Sequence, residues 1–144
     1  MKLHIITIGE PKLAYAREAW HEYLKRLQRF HSVRVTHLAD KFAGDAKTIL
    51  QAAGNSYKVA LVIDSKQMSS EALASFLEAR ALESRELSFI IGGPDGLPVD
   101  VIAQADFRWS LSELTFPHDL AMVVLLETLY RASTISAGHP YHRG

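Results

Sequence analysis

Short apolar runs alternate with helical patterns from one end of this chain to the other, and that alternation limits the fold more than any other feature. Residues 3–8 (LHIITI) form a β-branched run closed by Gly9 and Pro11, the signature of a buried strand. From Ala14 to Leu27, the residues Ala16, Ala19, Trp20, Tyr23, Leu24 and Leu27 recur at spacings of three and four, one face of an amphipathic helix. Residues 33–38 alternate as a second strand, and 46–53 make a short helix stopped by Gly54-Asn55. Residues 59–63 are continuously apolar, as in a parallel strand covered on both faces. Ser69 and Ser70 offer N-caps for a helix expected to bury Leu73, Phe76, Leu77 and Ala81. A strand at 88–91, a short helix opened by Pro98, a strand at 107–110 and a helix from Pro117 complete the series. Strand and helix thus alternate without repeats or linkers. The pattern predicts one α/β domain over residues 1–144, a parallel sheet with helices on both faces.

Ligands of such sheets bind at the carboxyl ends of strands. The candidate loops are therefore Gly9-Glu10, Asp64-Ser65, residues 92–96 (GGPDG) and residues 111–116 (LSELTF). The glycine turn is neither the dinucleotide fingerprint nor a phosphate loop. It suits a tight turn or a ligand's close approach to backbone. In the second loop, Ser112 and Thr115 either cap helix ends or leave backbone groups to bond an adenine edge. The helix after Pro117 carries Leu120, Val123, Val124, Leu125, Leu126, Leu129 and Tyr130 around most of its circumference. It must insert deeply into its own domain or form a subunit interface. Glu127 and Arg131 are spaced as an i,i+4 pair.

Several functions are disfavoured by what the chain lacks. With no cysteine among 144 residues, disulfides, thiolate nucleophiles and Cys-ligated zinc are excluded. No signal peptide opens the chain, and the longest apolar run, residues 120–126, falls short of the roughly 20 residues of a spanning helix. Together these predict a cytoplasmic protein without a membrane partner. Formal charge is zero, 16 basic against 16 acidic residues, so any nucleic-acid surface must be local. Arg17, Lys25, Arg26 and Arg29 make one basic cluster, which is otherwise a solvated helix face. No nucleophile elbow or hydrolase triad is present. His139 and His142, three apart without a nearby carboxylate, do not make a metal site. The loops point instead to a cofactor that brings its own reactivity. The tail, His139-Pro140-Tyr141-His142-Arg143, carries groups that stack on bases and grip phosphate.

Four ordered motifs then carry a resemblance across nearly the whole chain: IGGPDGL at 91–97, LSELTFPH at 111–118, LLETLYRA at 125–132 and HPYHR at 139–143. With the opening MKLHIITIGEPK, they resemble the ribosomal RNA large subunit methyltransferase H family of SPOUT methyltransferases. The resemblance implies a C-terminal trefoil knot, a homodimer and S-adenosylmethionine as cofactor. It implies methylation at N3 of a pseudouridine in 23S rRNA, within the assembled ribosome. Carried over, the cofactor residues are Leu61, Gly92, Leu111, Ser112, Glu113, Leu114, Thr115 and Phe116. By residue type, His142 is the expected proton acceptor. Arg143 would hold a phosphate or balance charge on the base, and Tyr141 would stack on it. His118 and Glu127 are reserves. Alternatives are another RNA such as tRNA, or a dimeric module that binds an adenine nucleotide without catalysis. Two departures stand out: Met122 where relatives commonly carry Arg, and a shorter segment over residues 40–58.

Overall fold

The computed structural model describes all of residues 1–144. Its five strands are β1 (Lys2–Ile8), β2 (Ser32–Leu38), β3 (Tyr57–Lys66), β4 (Leu87–Ile91) and β5 (Phe107–Trp109). The helices are α1 (Ala14–Leu27), α2 (Ala46–Ala53), α3 (Ser70–Ala81), α4 (Val99–Gln104) and α5 (His118–Ala137). The strands form one parallel sheet in the order β2-β1-β4-β3-β5. Alternation sorts the side chains by face. Leu3, Ile5, Leu87, Phe89 and Ile91 face α1, α3 and α5 in the larger core, while Ile6, Ile8 and Ile90 meet Ile49, Ala53 and Val101 of α2 and α4.

That sorting makes the crossovers consistent. The steps β1 to β2 and β3 to β4 run one way along the sheet, with α1 and α3 on the first face. The steps β2 to β3 and β4 to β5 run the other way, with α2 and α4 on the second face. All four therefore share one hand, as twisted parallel strands require. Chains leaving β3 and β4, which are neighbours, depart to opposite faces. Such a switch point opens a crevice at the strands' carboxyl ends.

Helix ends follow sequence chemistry. Ser69 Oγ accepts from the Ala72 N–H, Asp45 caps α2 through Thr48, and Gly138 closes α5 at φ +70°. Within α3, Leu73 and Leu77 are buried as expected and Phe76 is half-buried, but Ala81 is exposed and Ala74 is buried instead, because α5 lies over the side carrying Leu73, Ala74 and Leu77. The all-round apolar α5 inserts between α1 and α3, burying Met122, Leu125, Leu126 and Leu129 completely. Met122 thus serves packing, where an arginine would bring a charge into the core. By length and composition α5 also matches a membrane-crossing helix, with a mean hydropathy of 1.3 over its best window. A search for uninterrupted apolar runs misses this because Glu127 and Arg131 break the run. Half of that window is buried inside the protein, as a core helix requires.

Three imidazoles are held neutral by the fold. Burial lowers the pKa of His4, His31 and His37, and His31 reaches about 4 with help from the nearby N-terminal ammonium. Ser133 donates to the Leu129 carbonyl, so its oxygen accepts from His31 Nε2–H at 2.8 Å. Unfolded histidine titrates near pH 6.5, so between pH 6.5 and 4 the unfolded chain binds more protons than the folded one. Stability is complete above that window and is lost as pH falls through it. We expect the melting temperature to drop by about 5 °C or more between pH 7 and pH 4.5. His31→Gln, which keeps a donor for Ser133, should flatten part of that slope. A melting temperature constant over the range would refute the assignment.

Candidate functional site

Three strand ends converge on a cleft of about 340 Å³. Its walls come from the end of β3, the glycine turn after β4, and the segment joining β5 to α5. On the β3 side, Trp109 pairs first with Leu61 and again with Lys66, so residues 62–65 arch out of the sheet. Ser110 N–H to the Lys66 carbonyl (2.8 Å) and Ser65 Oγ to the Arg108 carbonyl (3.0 Å) pin the arch. Ile63 on the arch and Leu114 across the cleft are 65% and 72% exposed, leaving the rim apolar.

On the β4 side, Gly96 N–H donates to the Gly93 carbonyl at 2.9 Å and Gly96 takes φ +84°. A Cβ on Gly92 would lie 2.6 Å from Gly96 C and 2.8 Å from Leu97 N. The turn is folded tightly on itself, and only glycine fits at that first position. The tight turn is thus what this segment forms, and its residues also wall the cleft.

Residues 111–116 form no helix or strand. Ser112 Oγ accepts from Leu114 N–H (3.0 Å), and the Ser112 carbonyl accepts from Ser110 Oγ (3.0 Å). Neither Ser112 nor Thr115 caps α5, whose N-cap is Pro117 with no side-chain bond. The remaining N–H groups of the segment have no backbone partner, so they are available to a ligand. Seven of the eight expected cofactor residues line the cleft; Glu113 is exposed and stands outside it. His118 is the sole titratable side chain on the walls. Its Nε2–H donates to the Ile8 carbonyl at 2.9 Å, leaving Nδ1 as the lone-pair nitrogen of the neutral ring. With no carboxylate, amine or thiol on its walls, the cleft offers backbone groups, apolar surface and the His118 ring to a bound molecule.

Next in the helix after His118 is Asp119, 8% exposed, whose Oδ2 accepts from Lys12 N–H (2.8 Å) and Leu13 N–H (2.7 Å). Since α1 has no side-chain cap of its own, α5 caps it from across 106 residues of sequence. Sequence reading missed this residue, for no local pattern marks it. Asp119→Ala strands both donors, and we expect a loss of about 1–3 kcal/mol, measured by denaturant unfolding, with Asp119→Asn milder. Wild-type stability in the alanine variant would discount the tie.

The tail is ordered against the body of the protein. Tyr141 packs edge-on to Tyr130 at 4.6 Å and donates to Glu127 Oε1 at 3.1 Å, with Tyr23 Oη 3.4 Å away. Arg131 holds Glu127 through Nε (2.8 Å) and Nη2 (2.7 Å) and lies 4.8 Å over the Tyr141 ring. Burial, first, and then the neighbouring Tyr23 and Glu127 raise the Tyr141 pKa, keeping the phenol protonated. His142 sits between Arg131 Nη1 (3.1 Å) and Glu71 Oε1 (2.9 Å), and Arg143 is exposed. The geometry ties Tyr141 and His142 to Glu127 and Arg131, leaves Arg143 exposed, and brings none of the three to the cleft. Ala121 walls the cleft and Arg131 grips the tail, ten residues further along α5, about 15 Å at 1.5 Å per residue. Glu71 belongs to this cluster and had no sequence signal, lying 71 residues from its partner.

On the α1 face, Arg17, Lys25 and Arg29 are exposed, whereas Arg26 is bound to Glu22 at 2.6 Å and stacked near Tyr23 and Tyr130. No group of three or more His, Asp or Glu side chains is arranged to hold a metal.

Known structures share this architecture. A probable methylase family protein from Haemophilus influenzae Rd KW20 superposes with a TM-score of 0.60, covering 99% of this chain and 70% of that one at 8% identity. TrmJ from Z. mobilis ZM4 gives 0.55, covering 93% and 70% at 10% identity. At such identities the likeness speaks for the fold alone. The family model described as "Predicted SPOUT methyltransferase" matches residues 1–142, and the chain belongs to that family of methyltransferases. Within it, the chain is 56% identical over 146 positions to the ribosomal RNA large subunit methyltransferase H of Deinococcus radiodurans, across all of both chains. Proteins of the same name from Deinococcus deserti and Pseudomonas fluorescens are 51% and 37% identical, each over 99% of this chain and all of theirs.

Proposed function

We propose that this methyltransferase uses S-adenosylmethionine to methylate N3 of a pseudouridine in 23S rRNA, acting in the cytoplasm on the assembled ribosome. The observation that carries the reading is the strand-end cleft, whose residues fit such a cofactor. Unpaired backbone N–H groups at 111–116 suit an adenine edge, and Gly92 and Gly93 present bare backbone to the cleft as part of its wall. Leu61, Leu111 and Phe116 supply apolar walls. When bound, the sulfonium supplies an already activated methyl group. The chain's own work is then to align the acceptor nitrogen, exclude water and remove the N3 proton. His142 takes that proton, Tyr141 stacks on the base, and Arg143 holds phosphate or balances charge on the base carbonyls.

Because cleft and tail stand apart on one chain, this mechanism calls for a homodimer in which each tail serves the other cleft. Tyr15, Ala19 and Tyr23, spaced by four on α1 and at least partly exposed, offer an apolar stripe for the second copy. The knot belongs to the same proposal: after edge strand β5 the chain returns to the middle of the sheet, where α5 packs between α1 and α3. Arg17, Lys25 and Arg29 with the tail form the proposed RNA surface. The names of the relatives favour rRNA over tRNA, and family membership favours an enzyme over a nucleotide-binding module.

The test is transfer of labelled methyl from S-adenosylmethionine to intact ribosomes, free 23S rRNA and tRNA, each lacking the modification. Label in 23S rRNA from ribosomes, mapped to a pseudouridine, is the expected result. Label in tRNA alone, or none with the cofactor bound, would overturn the substrate assignment.

A further inference from the structure

We propose that Glu71, in the first turn of α3, is a positioning residue for methyl transfer: with Arg131 selecting the Nε2–H tautomer of His142, Glu71 holds that N–H, orients the ring and balances its charge as Nδ1 takes the substrate's proton. The inference rests on the reading of His142 as proton acceptor and deepens it.

The tautomer follows from the partners. A guanidinium has only donors, so the ring nitrogen 3.1 Å from Arg131 Nη1 must present its lone pair; that nitrogen is Nδ1. The single N–H of the neutral ring is then on Nε2, 2.9 Å from Glu71 Oε1, which accepts it. Arg131 is itself held by Glu127 through Nε and Nη2, so its third contact, to Nδ1, is the bond that yields when a proton arrives. The imidazolium so formed is repelled by the guanidinium and held by the carboxylate. Without Glu71 the ring loses its orienting partner and the charge that balances its protonated form.

The step balances. The N3–H bond breaks as Nδ1–H forms, the freed pair on N3 makes the bond to the methyl carbon, and the carbon–sulfur bond breaks to leave a neutral thioether. The imidazolium afterwards gives its proton to water. Glu71 is 58% exposed and the His142 ring 18%, so the pair sits at the surface, open to a second copy or an RNA. No other titratable group bonds either ring nitrogen.

The test uses the full-length protein with ribosomes lacking the modification. Nitrogen-15 correlation spectra of histidine-labelled wild type should report His142 as the Nε2–H form with its proton bonded to a carboxylate, and Glu71→Ala should shift the Nε2–H signal as that bond is lost. Single-turnover methyl transfer should slow about 10- to 100-fold in Glu71→Ala, with donor affinity and melting temperature unchanged. Glu71→Gln, whose amide oxygen accepts the same hydrogen bond, should recover much of the rate. A wild-type rate or an unshifted Nε2–H signal in Glu71→Ala overturns the proposal. His142→Ala separates the two layers. If it is inactive while Glu71→Ala is not impaired, only the positioning role falls; if it retains full activity, the proton-acceptor reading falls and takes this inference with it.

Discussion

Gly92→Ala should lose donor binding by about 100-fold or more while the protein stays folded. Gly92 has an ordinary backbone conformation, for the positive-φ glycines are Gly9, Gly54, Gly96 and Gly138. Its requirement is steric. The added Cβ would meet Gly96 C at 2.6 Å, Gly96 O at 2.7 Å and Leu97 N at 2.8 Å, all of them backbone, so no side chain can rotate away. The loop must open, breaking the Gly96-to-Gly93 hydrogen bond and moving the cleft wall. Two controls separate this from a general glycine effect. Gly96→Ala meets nothing within 4 Å but must hold φ +84°, which costs about 1–2 kcal/mol of stability and disturbs the wall less. Gly44→Ala also meets nothing, has no positive φ, and should be silent. Isothermal titration with S-adenosylmethionine, alongside circular dichroism, decides the matter. Wild-type affinity in Gly92→Ala would remove the glycine turn from the cofactor site.

Much of this architecture was legible because element type is written in local periodicity. The helices Ala14–Leu27 and Ala46–Ala53 fall where spacing and stop signals put them. Strand order was not legible. β1 is buried at six of its seven positions and β4 at all five, so nothing in the run of residues tells which strand lies beside which. For the same reason the arch at 62–65 was invisible, since it depends on one tryptophan of β5 pairing with β3 twice. The cleft residues could be found because strand ends and glycine turns are local features. Asp119 and Glu71 could not, because each acts on a partner brought close only by the packing of α5 against α1 and α3. Arg26 shows the converse. It reads as part of a free basic face, yet a neighbour one turn back and two tyrosines occupy it.

Removing the tail after Gly138 should abolish methyl transfer while donor affinity changes by no more than about twofold, since no tail residue lines the cleft and binding energy lost away from the cofactor falls on the chemical step. The deletion also strips Tyr141 from Tyr130 and Tyr23, uncovering aromatic surface, so a fall of a few degrees in melting temperature is expected and does not count against the reading. Point variants remove that ambiguity. Arg143 is exposed, so Arg143→Ala should leave stability untouched, and any loss of turnover there is functional. Tyr141→Phe keeps the ring against Tyr130 and loses only the bonds to Glu127 and Tyr23, testing whether the ring or the hydroxyl matters. If each tail serves the neighbouring cleft, mixing tail-deleted chains with chains carrying Gly92→Ala should restore activity, because one mixed dimer then holds an intact tail opposite an intact cleft. Both variants are inactive alone, so recovery on mixing has no single-chain explanation. Full turnover in the deleted protein would place the chemistry elsewhere, and failure of every mixture would return tail and cleft to the same chain.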